Sequence, residues 1–364
     1  MKREDNLTMG SISRRDFLKR SMGAGLAGGV ILTGMDKVAL ASTGEPVGTF
    51  IDLTKCDGCP GKDTPACVAA CRTTNQHKFP EPAADDIANY WPQKKHEDWT
   101  DKKGLTSRLT PYNWTFVQKV EVEHEGTAHE VSVPRRCMHC DNPPCVKVCP
   151  FSAQEKRPEG PVVIDDELCF GGAKCRDVCP WGIPARQAGV GLYLKLAPQL
   201  AGGGVMYKCD LCYDRLEQGK LPACIEACPN AAMQIGGQAQ MLEAARARAA
   251  EIGGYVYGEK ENGGTSTFYV SPVPFEKVHK ALMEQKQGQE NPQAPSFPGM
   301  PVNAENFLES ANGLAISLLV APVAGIVGAG AAAYRTMKGQ GEDGAPPASG
   351  GDPERVPERE GNDE

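Results

Sequence analysis

Fifteen cysteines fall into four spaced groups, and this constrains the chain more than any other feature. The first group is Cys56, Cys59, Cys67 and Cys71, and the second is Cys137, Cys140, Cys145 and Cys149. The third has only Cys169, Cys175 and Cys179; the fourth is Cys209, Cys212, Cys224 and Cys228. Every group ends Cys-x-x-x-Cys, and the last three are followed by Pro150, Pro180 and Pro229. This is the spacing that holds iron–sulfur cubes. A tight Cys-x-x-Cys loop aims two thiolates and backbone N–H groups at one cube, and a third cysteine follows from the same loop. The fourth is expected to begin a helix that leaves the site and to reach a different cube. Proline after it suits a first helical position, which needs no N–H partner. The groups therefore work in pairs, each lending its last cysteine to the other.

Other uses of cysteine fit less well. Disulfides, possible in an oxidising compartment, sit poorly with an odd count and a repeated spacing. Zinc knuckles give no reason for a fourth cysteine followed by proline. Haem attachment needs a histidine after Cys140, where Asp141 stands. With 6 % aromatic residues, 41 Gly and 29 Pro, the composition suits a loop-rich fold organised by something other than a large aliphatic core. The net charge of −7 comes with no basic block, which argues against nucleic-acid binding. No Ser/His/Asp set, Walker loop or Rossmann fingerprint is present. The chain reads as an electron carrier without catalytic residues of its own, and a reactant site would lie in another subunit.

Group three lacks one ligand. Gly172 stands where the pattern wants a thiolate, so one iron corner has no protein ligand. The expectation is a [3Fe–4S] cluster there, ahead of a [4Fe–4S] cluster with a water or carboxylate ligand, or an empty site.

The two ends carry membrane signals. Ser13-Arg14-Arg15-Asp16-Phe17-Leu18-Lys19 precedes an apolar stretch from Met22 to Met35 and the small-residue site Ala39-Leu40-Ala41. That is a twin-arginine export pattern, which suits a protein that acquires its cofactor before crossing the membrane. No charge occurs between Glu309 and Arg335, and the 21 residues from Gly313 to Ala333 are almost wholly apolar. As a helix they span about 32 Å, close to the bilayer core. Ala321, Gly325, Ala329 and Ala333 place small residues on one face, where another membrane helix can approach. Arg335 and Lys338 put the C-terminus in the cytoplasm, so the cysteine region is expected on the periplasmic side.

Together these features resemble the periplasmic four-cluster ferredoxin-like subunits of respiratory oxidoreductases, closest to the iron–sulfur subunit of type-2 nickel–iron hydrogenase. Formate dehydrogenase-N and high-molecular-weight cytochrome complexes have similar subunits. The segments that carry the resemblance are Arg136-Cys137-Met138-His139-Cys140, Cys209-Asp210-Leu211-Cys212, Leu221-Pro222-Ala223-Cys224 and Cys228-Pro229. Tyr257 to Thr265 and Ser271-Pro272-Val273-Pro274-Phe275 match as well. The resemblance implies that group one pairs with group four, and two with three. Cluster 1 then takes Cys56, Cys59, Cys67 and Cys228; cluster 2 takes Cys209, Cys212, Cys224 and Cys71. Cluster 3 takes Cys137, Cys140, Cys145 and Cys179, and cluster 4 takes Cys169, Cys175 and Cys149. It also implies a catalytic partner in the periplasm, either a nickel–iron hydrogenase or a molybdopterin enzyme. A quinone-reactive membrane subunit and a multihaem cytochrome c are the other implied partners. The chain departs from the family pattern at Gly172 and in the seven residues between Cys59 and Cys67, where two are usual.

The expected fold is α+β: two intertwined ferredoxin-like modules with a β-hairpin insertion and one C-terminal transmembrane helix. Its segments are a signal at 1–41, a four-cluster domain at 48–285, a linker at 286–309, a membrane helix at 310–335 and an acidic tail at 336–364. Alternation from Trp114 to Val133 around Glu125-Gly126 predicts the hairpin. Gln238–Ile252 reads as an amphipathic helix and Thr267–Val270 as a strand. Trp91, Trp99 and Trp114 read as core packing ahead of a cluster cover or docking face. His139 reads as a donor to its own group's cluster or as a solvated histidine. Arg72, Arg176 and Lys208 adjoin ligands and stabilise reduced clusters or serve as surface charge.

Overall fold

Two strands more than two hundred residues apart in sequence lie side by side in a computed structural model. The structure describes residues 45–88, 97–192, 194, 203–288, 296–310, 313 and 315. The predicted signal segment, Trp91, the acidic tail and all but isolated positions of the predicted membrane helix lie outside these residues. Among the described residues no helix is long and apolar enough to cross a membrane. The strands are Val47–Asp52 (β1), Phe116–His124 (β2), Thr127–Arg135 (β3), Gln154–Lys156 (β4), Val162–Ile164 (β5), Ala185–Gln187 (β6), Val205–Tyr207 (β7), Met233–Gly237 (β8), Tyr255–Tyr257 (β9) and Thr267–Ser271 (β10). The helices are Ala66–Asn75 (α1), Ala84–Ala88 (α2), Pro144–Lys147 (α3), Lys174–Asp177 (α4), Tyr213–Glu217 (α5), Ala223–Glu226 (α6), Gln238–Ile252 (α7) and Phe275–Gln287 (α8).

A four-stranded sheet in the order β8-β1-β10-β9 forms the base. β1 runs parallel to β10, pairing Phe50 with Phe268 and Ile51 with Tyr269. Side chains alternate across a strand, so Phe50, Phe268 and Val270 meet Met241, Ala245 and Ala249 of α7 on one face. Ile51, Leu53 and Tyr269 turn to the other face, into the core that contains the buried cysteines. The sheet is thus a partition between an aliphatic helix layer and the cysteine region.

The predicted hairpin is β2–β3, closed between His124 and Thr127. Glu125 at φ 51° and Gly126 at φ 75° supply the two left-handed residues of a tight hairpin turn. The helix at Gln238–Ile252 and the strand from Thr267 also form where expected. Residues 296–303, inside the predicted linker, are packed: Phe297 and Met300 are buried and the Ser296 hydroxyl donates to the Pro184 carbonyl.

One expectation is corrected. The fourth cysteine of a group does not begin a helix. Short helices start one residue before the third cysteine instead; Cys149, Cys179 and Cys228 follow the ends of α3, α4 and α6, and Cys71 lies inside α1. Pro143 and Pro222 hold extended backbone at the N-caps of α3 and α6, and one helical turn carries the fourth cysteine to the other end. The prolines after it occupy turns rather than helix starts: Ser152, Gly182 and Ala231 N–H groups donate back to the Cys149, Cys179 and Cys228 carbonyls. Proline's fixed φ suits the second position of such a turn.

Candidate cofactor sites

Each Cys-x-x-Cys loop passes through left-handed backbone at its third position: Gly58 at 72°, His139 at 49° and Leu211 at 60°. Runs of this kind turn successive N–H groups into a concave nest that favours negative charge. The Asp57 and Asp210 carboxylates brace two of the loops by accepting the Cys59 and Cys212 N–H groups, both at 2.8 Å. The seven residues after Cys59 bulge outward, with Pro60, Gly61, Lys62 and Asp63 exposed.

Thiols of different groups lie close to one another, and Cys67 of group one also neighbours Cys224 of group four. Burial first, then Cys228 and Cys59 alongside, push the Cys56 thiol up to about 11. An enclosed cavity is lined by Cys56, Cys59, Cys67 and Cys228 together. Cys71 is raised well above a normal thiol by burial and by Cys209, Cys224 and Cys212. Cys140 is raised by burial and by Cys137, Cys179 and Cys145. Cys175 is raised by burial and then by Cys169, with Cys145, Cys149 and Cys179 also close. Among the described residues no three His, Cys, Asp or Glu side chains converge on a single metal-ion position. All fifteen cysteines are free thiols, buried or half-buried. Crowded, desolvated thiols of this kind resist ionisation, and ringed by inward N–H groups they fit a polynuclear iron–sulfur core whose metal charge neutralises them.

Group three keeps the loop and lacks the thiol. Gly171 has φ 65°, matching the third position of the complete loops. A Cβ there would stand 2.3 Å from the Gly204 carbonyl, so only glycine fits. At Gly172 a Cβ would meet nothing within 4 Å. Phe170 and Phe151, which flank Cys169 and follow Cys149-Pro150, stack with ring centroids 4.3 Å apart. The Glu97 carboxylate takes both guanidinium nitrogens of Arg176 at 2.7 and 2.8 Å, and Arg186 at 2.9 Å. Arg186 also donates to the Gly171 carbonyl at 3.0 Å.

The three cations singled out from sequence separate. Arg72 donates away from the cysteines, to the Tyr112 and Lys103 carbonyls. Arg176 is held by Glu97. Lys208 alone is buried among the ligands, donating to the Val162 carbonyl and to the Cys209 carbonyl at 3.1 Å. Its ammonium pKa is raised: burial opposes the charge, while Cys137, Cys145 and Cys209 favour it. Sequence reasoning missed Arg136, wholly buried and facing Cys209 and Cys224. It also missed Asn75, whose i, i+4 spacing from Cys71 was the available signal. Trp99 and Trp114 are core residues. The segment Tyr257 to Thr265 wraps the Cys140 loop, with Asp141 N–H donating to the Gly264 carbonyl at 3.1 Å.

Two family models, each described as a 4Fe-4S dicluster domain, match residues 55–153 and 129–238. Together these ranges contain all fifteen cysteines. The Hydrogenase-2 operon protein HybA of Escherichia coli O157:H7 is 30 % identical over 310 residues, covering 73 % of this chain and 83 % of that one. The chain belongs to this family of iron–sulfur electron-transfer subunits. Other members include the probable anaerobic dimethyl sulfoxide reductase chain YnfG of Escherichia coli K12, 33 % identical over 52 % of this chain and 72 % of that one. A protein of Nitratidesulfovibrio vulgaris Hildenborough is 34 % identical over 72 % of this chain, and the match spans 65 % of that protein's length. Membership, with two dicluster domains, implies iron–sulfur clusters and the electron-transfer subunit of an oxidoreductase complex.

Proposed function

We propose that the chain relays single electrons between a periplasmic catalytic subunit, a nickel–iron hydrogenase by preference, and a quinone-reactive membrane subunit. The likeness to the hydrogenase-2 operon protein over most of both chains supports the choice of hydrogenase. The dimethyl sulfoxide reductase chains support a molybdopterin enzyme as the second reading, with a multihaem cytochrome c complex as a further alternative. In this reading the chain is exported by the twin-arginine route and tethered by residues 310–335.

The observation that carries the reading is the meeting of thiols from different groups. It supports Cys56, Cys59, Cys67 and Cys228 as one ligand set and Cys209, Cys212, Cys224 and Cys71 as the next. Cys137, Cys140, Cys145 and Cys179 form the third set, and Cys169, Cys175 and Cys149 the fourth. When bound, the clusters supply one-electron carriers. The residues hold them: nests of N–H groups offset the negative charge, the sheet and hairpin exclude water, and buried Arg136 and Lys208 favour the reduced state. The lack of a thiol at Gly172 supports a [3Fe–4S] cluster in the fourth set.

Cys209→Ser tests the relay in the purified complex. Assembly is expected to persist while electron flow from donor to quinone stops. Loss of assembly with undiminished transfer would instead mark the chain as an anchor. Co-purification of a nickel-containing or a molybdenum-containing subunit decides between the two catalytic partners.

A further inference from the structure

Val162 N–H donates to His139 Nδ1 at 3.0 Å. Nδ1 is therefore an acceptor, and the ring's proton sits on Nε2. Nε2 faces Cys209 Sγ at 3.7 Å. The residue is 1 % exposed. The Val162 carbonyl accepts from Lys208, so one residue of β5 anchors both polar groups.

The direction of this contact differs from the sequence reading. His139 lies in the loop between Cys137 and Cys140, yet its N–H reaches a cysteine of group four. We propose that His139 is a positioning residue joining the second and third clusters, its Nε2–H raising the reduction potential of the cluster held through Cys209. The proposal rests on the relay reading above. Reduction adds negative charge that spreads onto the ligand sulfurs, so an N–H aimed at one of them stabilises the reduced form more than the oxidised form. Exclusion of water strengthens the effect. The Val162 N–H occupies Nδ1, so the ring's proton stays on the nitrogen that faces Cys209. The same loop carries Cys137 and Cys140, so the hydrogen bond also fixes the spacing of two neighbouring cages.

EPR-monitored redox titration of the full-length holoprotein, with iron analysis, tests this. His139→Phe is expected to retain the iron and to shift one cluster's one-electron equilibrium about tenfold toward the oxidised form, a fall of about 59 mV. His139→Gln, whose amide can donate to Cys209, is expected to recover most of that shift. Curves of both variants that overlay the wild type overturn the proposal, as do equal shifts in the two. A third measurement needs no variant: wild-type protein labelled with 15N-histidine is expected to show a weak nitrogen coupling to one reduced cluster by pulsed EPR. Its absence also overturns the proposal. Wild-type protein that contains no iron would overturn the relay reading itself, a distinct failure.

Discussion

Asn75 turns its amide back onto Cys71, donating to the Cys71 carbonyl at 2.9 Å and approaching the Cys71 and Cys212 sulfurs at 3.6 and 4.0 Å. One helical turn of α1 makes this possible. The residue is 2 % exposed, and the Cys71 carbonyl keeps its helical partner, the Asn75 backbone N–H, so removing the amide costs one net hydrogen bond, about 0.5–1.5 kcal/mol. Asn75→Ala is expected to lower unfolding stability by that amount and to speed bleaching of the visible cluster absorbance on heating. Wild-type bleaching kinetics in the variant would show that the amide does not matter to this site.

Gly171 and Gly172 are adjacent but not equivalent. Gly171→Ala places a Cβ against the Gly204 carbonyl at left-handed φ, so the loop must shift and iron at the fourth set is expected to be lost. Gly172→Cys meets open space. It is expected to be tolerated and to convert a three-iron EPR signal of the oxidised protein into a four-iron signal of the reduced protein. If the wild type gives no three-iron signal, the reading of this site fails.

How much of this was legible in the sequence depends on the range of the interaction. The hairpin is legible because Val120, Val122, Val131 and Val133 alternate with polar residues and Glu125-Gly126 fits the turn. The cysteine spacing marks the cofactor type because each loop is a local device. The pairing of β1 with β10 has no local signal, since strand partners far apart in sequence meet only through the folded core. Lys208 and Arg72 look alike in sequence, each beside a cysteine. Only the fold turns one inward to Val162 and the other outward to Tyr112.

His279 accepts the Met300 N–H on Nδ1 at 3.0 Å, and Arg135, which donates to the Gly299 carbonyl, lies close by. Burial, then Arg135, hold the imidazole below its usual pKa. A folded pKa below the unfolded one means that the released state binds more protons in acid. The anchoring of residues 296–303 is therefore complete above about pH 6.5 and weakens as pH falls toward the folded value. Hydrogen exchange at the Met300 amide is expected to accelerate over that window, relative to its intrinsic rate. His279→Gln should flatten the dependence, and a pH-independent wild-type protection factor would argue against the linkage.

Glu97 pairs with two guanidiniums at once, Arg176 and Arg186. The side chains of Arg176, Arg186 and Glu97 are 14 %, 5 % and 14 % exposed, so water screens them little. Removing one member of such a buried set costs about 3–5 kcal/mol. Glu97→Gln is expected near the lower end, about 3 kcal/mol, because the carboxylate is not wholly enclosed. The Arg215–Glu226 pair supplies the contrast: Glu226 is 61 % exposed, so Glu226→Gln is expected to cost less than about 1 kcal/mol. Chemical denaturation of both variants checks the difference. The loss should also be local, since Arg186 tethers the Gly171 carbonyl and Arg176 adjoins Cys175. Amide exchange in the loop from Cys169 to Cys175 should therefore rise in Glu97→Gln and stay unchanged in Glu226→Gln. Equal effects of the two substitutions would mean that solvent screens the triad despite its burial.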